Sequence, residues 1–251
     1  MKVLIAIPSK GRADKIMQHT LRWVPKQIER YAVFVEPQEY EAYAAAGVEN
    51  IQVLEQNDQG IAYVKAAIKR YAEENGYDLV FKMDDDIKRF TPRGAKIPIE
   101  KNIENFDRMM RTCVLMFDHV PDLGAIGYPY RNELYEPMVW SGINCRLQTC
   151  YLIRTELINT DFTTFEDLAQ LVTLRLANKF TLRYGMLAIE CEPIGKNGGG
   201  LQLFDRKAQA LADCEKLRKI HPAIKFKAVT GKAWEYEPDF TNDSLIGARH
   251  L

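Results

Sequence analysis

Short, wholly apolar strands alternate with helices through the first ninety residues of this chain. Val3 to Ile7 is apolar throughout and closes at Pro8-Ser9, a pattern typical of a strand covered on both faces. Further strands are predicted at Tyr31–Val35, Ile51–Leu54 and Asp78–Met83, and helices at Ala13–Arg30, Pro37–Ala46 and Ile61–Asn75. This alternation predicts an α/β fold with parallel strands, whose ligands bind at the carboxyl ends of the strands.

The second half of the chain has a less regular pattern. Apolar residues at helical spacing from Ile103 to Phe117 predict an amphipathic helix. Further helices are predicted at Asp167–Asn178 and Asp205–Ile220, and strands at Gly124–Tyr128, Gln148–Arg154 and Phe180–Cys191. No internal repeat or long linker interrupts the pattern. We therefore expect a single α/β domain over residues 1–251 with a mixed central sheet, its two halves meeting near residue 90.

The composition is that of a globular protein with balanced charge. The chain has 34 basic and 34 acidic residues, so its net charge of zero does not by itself indicate a polyanionic partner. No apolar run reaches roughly 18 residues, the length needed to span a bilayer, and the first apolar stretch resembles a strand rather than a signal peptide. The five cysteines form no Cys-x-x-Cys pair. We expect free thiols, a cytoplasmic location and no membrane partner.

Basic residues are nevertheless concentrated in two segments. Lys88–Lys101 contains five basic residues and one acidic residue, and Lys216–Lys232 contains six basic residues and no acidic one. A solvated face is the ordinary explanation of such a segment. The alternative is a rim that contacts phosphate groups.

Three consecutive carboxylates, Asp84-Asp85-Asp86, directly follow the fourth predicted strand; they are called the acidic triplet below. Adjacent carboxylates repel one another and need a compensating cation, and their oxygen atoms suit Mg²⁺ or Mn²⁺. In an extended segment Asp84 and Asp86 would lie on the same side. Asp86 could then hold a metal while Asp84 reaches a ribose. An acidic turn without a metal is the alternative.

Polar residues also close the first two predicted strands. Pro8, Ser9 and Arg12 follow the first strand, where a loop could offer backbone N–H groups and a guanidinium fork to a nucleotide. Glu36 follows the second strand and could accept hydrogen bonds from a base or a ribose. A charge at a helix N-terminus explains Glu36 as well.

A third polar group precedes the helix predicted at Ile61–Asn75. Asn57, Gln59 and Gly60 would form a polar wall of the same crevice. A simple helix cap explains Asn57 or Asp58 equally well.

The order of these elements resembles the nucleotide-binding half of family-2-like GT-A glycosyltransferases. The resemblance rests on Ile-Pro-Ser-x-Gly-Arg at 7–12, Val-Phe-Val-Glu at 33–36, Asn57-x-x-Gly60 with Lys65, and Phe-Lys-Met-Asp-Asp-Asp-Ile at 81–87. It implies a Rossmann-like donor domain, a UDP-sugar donor in contact with Lys65, Asp84 and Asp85 among others, and Mn²⁺ or Mg²⁺ at the acidic triplet. The Asp-Asp-Gly-Ser segment usual after the second strand is replaced by Glu36-Pro37-Gln38.

Phe165-Glu166-Asp167 opens a predicted helix in the second half. The segment resembles the Glu-Asp pair whose Asp is the general base in inverting members of that fold, which implies catalytic roles for Asp167 and Glu166. A helix N-terminus holds a carboxylate ionised and aims it, and such a carboxylate could take the proton of an acceptor hydroxyl. The alternative is that both acids only cap the helix.

Two features near the end of the chain, a glycine-rich segment and two histidines, each have two interpretations. Gly195–Gly200 is either a lid over the donor or an ordinary hairpin loop. His221, which precedes Pro222, is a candidate third metal ligand beside Asp86 and Asp84, and His250 is another. A surface or cap position is the alternative for each histidine.

All of these motifs together resemble the TET-associated glycosyltransferase family of phages and some eukaryotes. The resemblance implies transfer of a sugar to a hydroxymethylated pyrimidine in DNA, such as 5-hydroxymethylcytosine, in the host cytoplasm if the gene is phage-encoded. It divides the chain into a nucleotide-sugar-binding half, residues 1–90, and an acceptor-binding half with a C-terminal cover, residues 91–251.

Two other functions fit parts of the pattern. A nucleotidyltransferase shares the architecture and the metal carboxylates but needs a glycine-rich loop after the first strand, which residues 8–12 do not supply. A catalytically inactive module that only binds a nucleotide or DNA would not need both the acidic triplet and the Glu166-Asp167 pair.

Overall fold

The structure is a computed structural model, and it describes residues 1–24, 31–92, 99–129, 140–143, 147, 149–191, 206–222, 225–228 and 236–239. The strands in chain order, β1 to β12, are Val3–Pro8, Tyr31–Val35, Ile51–Val53, Leu79–Met83, Ile87–Pro92, Leu123–Gly127, Trp140–Ile143, Cys150–Arg154, Phe180–Tyr184, Leu187–Cys191, Lys225–Ala228 and Tyr236–Asp239. The helices, α1 to α6, are Ala13–Ile16, Tyr40–Ala45, Gly60–Glu74, Ile99–His119, Glu166–Leu176 and Arg206–Ile220.

Eight strands form the central sheet, in the order β3-β2-β1-β4-β8-β6-β9-β7. The first four are mutually parallel, as the strand-helix alternation predicts. Strand β8 runs antiparallel to both β4 and β6, β9 is parallel to β6, and β7 is antiparallel to β9. The predicted α/β fold with a mixed central sheet is therefore confirmed. Strands β5 and β10 pair antiparallel in a second, two-stranded sheet.

The two faces of the central sheet pack against different helices. Ile5, Ile7 and Phe81 lie in one apolar cluster with the buried face of α4. Because successive side chains of a strand point to opposite faces, Leu4 and Val80 lie in a second cluster with α3 and part of α5. Lys82 has the same parity as Val80 and projects to that second face, which brings a charged group beneath α3 and α5.

Helix α5 approaches the sheet closely over a glycine. A Cβ atom placed on Gly124 in β6 would lie 2.6 Å from Leu174 Cδ2 and 2.9 Å from Lys179 Cβ. Such distances are below van der Waals contact, so only glycine allows the observed packing. The outer side of α5 packs on α6 through Leu171, Val172 and Leu217.

Two predicted elements are wrong. The helix predicted from Ala13 ends at Ile16 and gives way to a short 3₁₀ turn at Thr20–Arg22, because Thr20 Oγ1 donates to Asp84 O (2.6 Å) and accepts from Ile87 N (3.0 Å). The single strand predicted over Phe180–Cys191 is two strands, β9 and β10, which belong to different sheets. In both cases contacts with distant residues decide the break.

Several predicted features lie outside the described residues, namely the Gly195–Gly200 loop, His250, Cys145 and, in the first basic segment, Arg93 and Lys96. Cys113, Cys150, Cys191 and Cys214 are free thiols, as predicted. Among the helices that the structure describes, none is long and apolar enough to cross a membrane.

We expect Asp213→Ala to lower the free energy of unfolding by about 1–3 kcal/mol, because it strands buried N–H groups of the loop that leads into α5. Asp213 is fully buried on α6, and its Oδ2 accepts from Thr164 N (2.7 Å), Thr164 Oγ1 (2.7 Å) and Thr163 N (3.2 Å). Urea denaturation measures the change. The control is Glu215→Ala, an exposed acid on the same helix, which should shift stability by less than about 0.5 kcal/mol. Equal midpoints for the two variants would contradict the assignment.

Candidate active site

The acidic triplet forms a turn between β4 and β5 at the carboxyl end of the parallel strands. Asp85 and Asp86 occupy the turn itself, so the extended segment expected from the sequence is not present. Arg12, from the loop after β1, makes ion pairs with Asp85 and with Asp86, the latter at 3.2 Å between Nη1 and Oδ2. The two carboxylates of the turn therefore share one guanidinium.

Asp85 is the most enclosed member of the triplet. It is buried, and its Oδ2 accepts from Ser9 Oγ at 2.6 Å while its Oδ1 binds Arg12. Ser9 Oγ lies 2.6 Å from the hydroxyl of Tyr43, which also accepts from Arg12 N at 3.2 Å. Each oxygen of the Asp85 carboxylate thus has a partner from the loop after β1, and Ser9 connects it to Tyr43 of α2.

Asp86 is less well compensated than Asp85. Burial and the charges of Asp84 and Asp85 raise the pKa of Asp86 to about 6, although Arg12 opposes the shift. Its side chain is 16% exposed. A partly buried carboxylate with too little positive charge nearby, beside a second carboxylate, is a donor set that fits a hard divalent cation.

Asp84 is paired with a lysine of β4, the strand that directly precedes it. Lys82 Nζ binds Asp84 Oδ1, and it lies 5.8 Å from the centre of the Tyr151 ring. Although burial opposes the charged form of Lys82, the negative charges of Asp84 and Glu166 raise its pKa well above the usual value. The ammonium is therefore a fixed positive charge inside the site.

A separate polar cluster lies at the ends of β1 and β2. Glu36 is buried; its Oε1 accepts from Lys10 Nζ at 2.7 Å and its Oε2 from Gln38 Nε2 at 2.8 Å. Lys10 also pairs with Asp58, and Gln38 N donates to Asn57 Oδ1 at 3.1 Å. Each oxygen of the Glu36 carboxylate thus accepts a hydrogen bond from a side chain of the protein, either Lys10 or Gln38.

The loop before α3 continues this cluster with unusual backbone angles. Asp58 and Gly60 have φ values of 58° and 80°, in the left-handed region. Gln59 is the N-cap residue of α3 but makes no side-chain cap; its Nε2 donates to Asn57 O at 3.0 Å. The predicted polar wall of Asn57, Gln59 and Gly60 is therefore adjacent to Lys10 and Glu36, while Pro8 ends β1 beside Phe34.

Glu166, the first residue of α5, is the part of that helix that contacts the site. Its Oε2 lies 3.4 Å from Nζ of Lys65, a buried lysine of α3. Burial alone would raise the pKa of Glu166, but the charges of Lys65 and Lys82 outweigh it and lower the pKa. Phe165, the preceding N-cap residue, has a φ of 51°, an uncommon angle for a bulky side chain. The first turn of α5 is thus held over the face of the sheet from which Lys82 projects.

The other two predicted residues, Asp167 and His221, lie at the start of α5 and directly after α6. Asp167 is half-buried in the first turn of α5, directly after Glu166. His221 is buried at the end of α6, where its N–H donates to Leu217 O at 2.8 Å. Within the described ranges, no group of three or more His, Cys, Asp or Glu side chains is arranged to hold a metal ion. The assignment of His221 as a third ligand stays a prediction.

Four residues of the site were not selected from the sequence: Lys10, Thr20, Tyr43 and Lys82. Lys82 had a signal, because it is a lysine inside an otherwise apolar strand, Leu79–Met83. Such a residue is rarely buried unless it is paired. The other three had none, since their hydrogen-bond partners lie 26 to 67 residues away in the chain.

Comparison with protein families decides the affiliation. A family model described as TET-Associated Glycosyltransferase matches residues 3–199, which include every site residue above except His221. This chain belongs to the TET-associated glycosyltransferase family. The resemblance inferred from its motifs is thereby confirmed. Comparison with curated protein sequences gives no match.

Comparison with solved structures gives a match to TarS that supports the fold of this TET-associated glycosyltransferase. Residues 1–349 of S. aureus TarS in complex with UDP-GlcNAc are 14% identical, with a TM-score of 0.54 over 86% of this chain and 65% of that one. Glucosyl-3-phosphoglycerate synthase of Mycobacterium tuberculosis in complex with Mn²⁺, UDP-glucose and glycerol 3-phosphate is 14% identical, with a TM-score of 0.49 over 85% and 80%. This chain spans just under two thirds of the TarS structure's length. The predicted GT-A fold is confirmed.

Proposed function

We propose that this glycosyltransferase moves a sugar from a UDP-sugar to a hydroxymethylated pyrimidine in DNA, such as 5-hydroxymethylcytosine. The observation that carries the proposal is the meeting of the acidic triplet and the first turn of α5 at one sheet edge, where Glu166 and Asp84 flank Lys82. A donor diphosphate and an activated acceptor have to meet at one such place. Residues 1–90 would bind the nucleotide sugar, and residues 91–251 would bind the acceptor and cover it.

For binding of the UDP-sugar, the proposal gives a role to the residues at the end of each parallel strand. Arg12 and Ser9 would orient the acidic triplet under the diphosphate. The cluster of Lys10, Glu36 and Gln38, with the wall formed by Asn57, Gln59 and Gly60 and the strand end at Pro8, would hold the uridine. Lys10 and Gln38 each donate to Glu36, and their remaining N–H groups would be offered to the base. This arrangement takes the place of the Asp-Asp-Gly-Ser segment that the chain lacks.

Asp86, with Asp84 beside it, would hold Mn²⁺ or Mg²⁺. Two observations support this: the carboxylate oxygens are ligands that hard cations prefer, and the negative charge of Asp86 is only partly balanced by Arg12. Bound there, such an ion offsets the negative charge of the leaving diphosphate. Lys82 would fix the direction of the Asp84 carboxylate and oppose the rise in its pKa that burial causes.

For activation of the acceptor hydroxyl, the proposal uses the first turn of α5. Asp167 would accept the proton of the acceptor's primary hydroxyl as its oxygen bonds to the anomeric carbon. The bond from that carbon to the diphosphate oxygen breaks, and UDP leaves with the bonding pair. A direct displacement of this kind inverts the anomeric configuration.

Support for a DNA acceptor comes from the family and from the basic segments. Arg89 has a side chain that is 52% exposed on β5 and pairs with Glu190 on β10 at 3.1 Å. Lys225 and Lys227 lie on β11 in the second basic segment. A phosphate-contacting rim would hold DNA there, and the modified base would leave the stack to reach the acidic triplet.

The acceptor is tested by incubating the enzyme with Mn²⁺, UDP-glucose, UDP-galactose or UDP-GlcNAc, and DNA that contains cytosine, 5-methylcytosine or 5-hydroxymethylcytosine. The products are digested to nucleosides and weighed by mass spectrometry. We expect a hexose or N-acetylhexosamine adduct on the hydroxymethylated base alone, and DNA binding that weakens steeply with salt. Transfer to a glycan or a protein with no adduct on any DNA would remove the DNA acceptor but leave the glycosyltransferase.

We expect Asp86→Asn to abolish transfer while the protein remains folded, because a neutral amide is a poor ligand for a hard cation. EDTA should silence the unmodified enzyme, and Mn²⁺ or Mg²⁺ should restore it. The control is Asp122→Asn, whose side chain is 74% exposed, with an unchanged rate. Full activity of Asp86→Asn, or of a metal-free preparation, would contradict this role.

We expect Asp167→Asn to keep its affinity for UDP but to lose transfer by roughly 10²–10⁴-fold, the usual contribution of a general base. Single-turnover kinetics with saturating donor separate the chemical step from binding. A normal rate for Asp167→Asn beside a crippled turnover in Glu166→Gln would move the base to Glu166. If both variants turned over normally, base-assisted inversion at this helix would be wrong.

A further inference from the structure

Lys65 is a buried charge whose hydrogen-bonding capacity is unused. It lies on the inner face of α3 with Ile68 and Ala72, and its side chain is 2% exposed. A buried ammonium normally donates to several acceptors. Among the residues described, Nζ of Lys65 makes no hydrogen bond. Lys82, the other buried lysine of the site, donates to Asp84.

The nearest counter-charge to Lys65 is equally unsatisfied. Glu166 Oε2 lies 3.4 Å from Lys65 Nζ, beyond the roughly 2.7–2.9 Å of a charge-assisted hydrogen bond. This oxygen, too, has no hydrogen bond within the described part of the chain. The Glu166 side chain as a whole is 33% exposed although Oε2 itself is buried, so a ligand in the site can approach the pair. A hydrogen-bond donor, Lys65 Nζ, and an acceptor, Glu166 Oε2, thus lie next to each other. Both atoms are buried, and neither makes a hydrogen bond within the described residues.

The opposite charges of Lys65 and Glu166 favour one class of ligand beside them. An anionic phosphate would be attracted by Lys65 but repelled by Glu166, and a cation would meet the opposite balance. A hydroxyl group satisfies both atoms at once, since it accepts from an ammonium and donates to a carboxylate. A buried pair of this kind discriminates strongly against a ligand that lacks the hydroxyl, because the ligand would leave both charges unpaired.

We infer that Lys65 and Glu166 form a subsite for one hydroxyl group of the transferred sugar, separate from the groups that hold the uridine and the diphosphate. The inference rests on the proposed UDP-sugar donor. Its location fits, because Lys82 interacts electrostatically both with Glu166 of this subsite and with Asp84 of the acidic triplet. Lys65 and Glu166 are then specificity-determining residues that recognise the hexosyl group.

The test compares the affinities of UDP and of UDP-sugars at equilibrium, by calorimetric titration without acceptor. UDP-glucose, UDP-galactose and UDP-GlcNAc are used, with UDP as the reference. We expect the unmodified enzyme to bind at least one UDP-sugar about tenfold more tightly than UDP. Lys65→Met, which keeps the length and apolar stem, should lose that advantage while its affinity for UDP stays unchanged. The control is Lys69→Met, one turn further along α3, where Nζ donates to Glu156 O at the surface (3.0 Å), and it should keep the advantage.

Monodeoxy analogues of the preferred UDP-sugar identify the hydroxyl and do not depend on a variant that folds. One position should bind the unmodified enzyme about tenfold more weakly when its hydroxyl is removed. The same removal should cost little in Lys65→Met or in Glu166→Gln, as expected for directly interacting partners. If Lys65→Met is unstable, Glu166→Gln and the analogues alone decide.

The outcomes separate this inference from the function on which it rests. If the unmodified enzyme binds neither UDP nor any UDP-sugar, the donor proposal fails and the subsite fails with it. If UDP-sugars bind but no more tightly than UDP, or if Lys65→Met retains the advantage, only the subsite is wrong. An equal loss of UDP and UDP-sugar affinity in Lys65→Met would show a structural ion pair instead.

Discussion

Three adjacent carboxylates at the end of a buried strand can exist only if positive charge is brought to them, and the chain brings it from two directions. Arg12 reaches Asp85 and Asp86 from the loop after β1, and Lys82 binds Asp84 from within β4. Two cations thus serve three carboxylates. Burial raises the pKa of both Asp84 and Asp86, but Asp84 has a lysine of its own, whereas Asp86 shares Arg12 with Asp85. The turn is thus both stabilised and left receptive to a further cation.

The side of the sheet on which each cation lies determines how the two halves of the protein meet. Lys82 projects to the face covered by α3 and α5, and its charge acts on Glu166 at the start of α5. The close packing of α5 over Gly124 and the anchoring of its preceding loop by Asp213 hold that helix start in place. Residues 91–251 are therefore joined to residues 1–90 at the candidate active site as well as through the pairing of β4 with β8.

What the sequence predicts correctly depends on local pattern, and what it misses depends on distant contacts. Strands such as Val3–Pro8 and Leu79–Met83 follow from short apolar runs with polar ends, and the acidic triplet is contiguous in the chain. The break of the first helix before Thr20 could not be predicted, because it follows from hydrogen bonds to Asp84 and Ile87, more than sixty residues away. The pairing of Lys65 with Glu166 likewise joins residues a hundred positions apart.

The turn at the acidic triplet changes the physical reason for the different roles proposed for Asp84 and Asp86. Alternation along an extended strand would have separated their roles by side-chain direction. In the turn, they are separated by their partners instead: Asp84 is bound to a buried ammonium, whereas Asp86 only shares a guanidinium with Asp85 at 3.2 Å. A guanidinium that serves two carboxylates can shift toward Asp85 when another cation reaches Asp86, while Lys82 has no second carboxylate of the triplet to which it is paired. Asp86 is therefore the carboxylate that can change partners, and Asp84 the one that stays fixed.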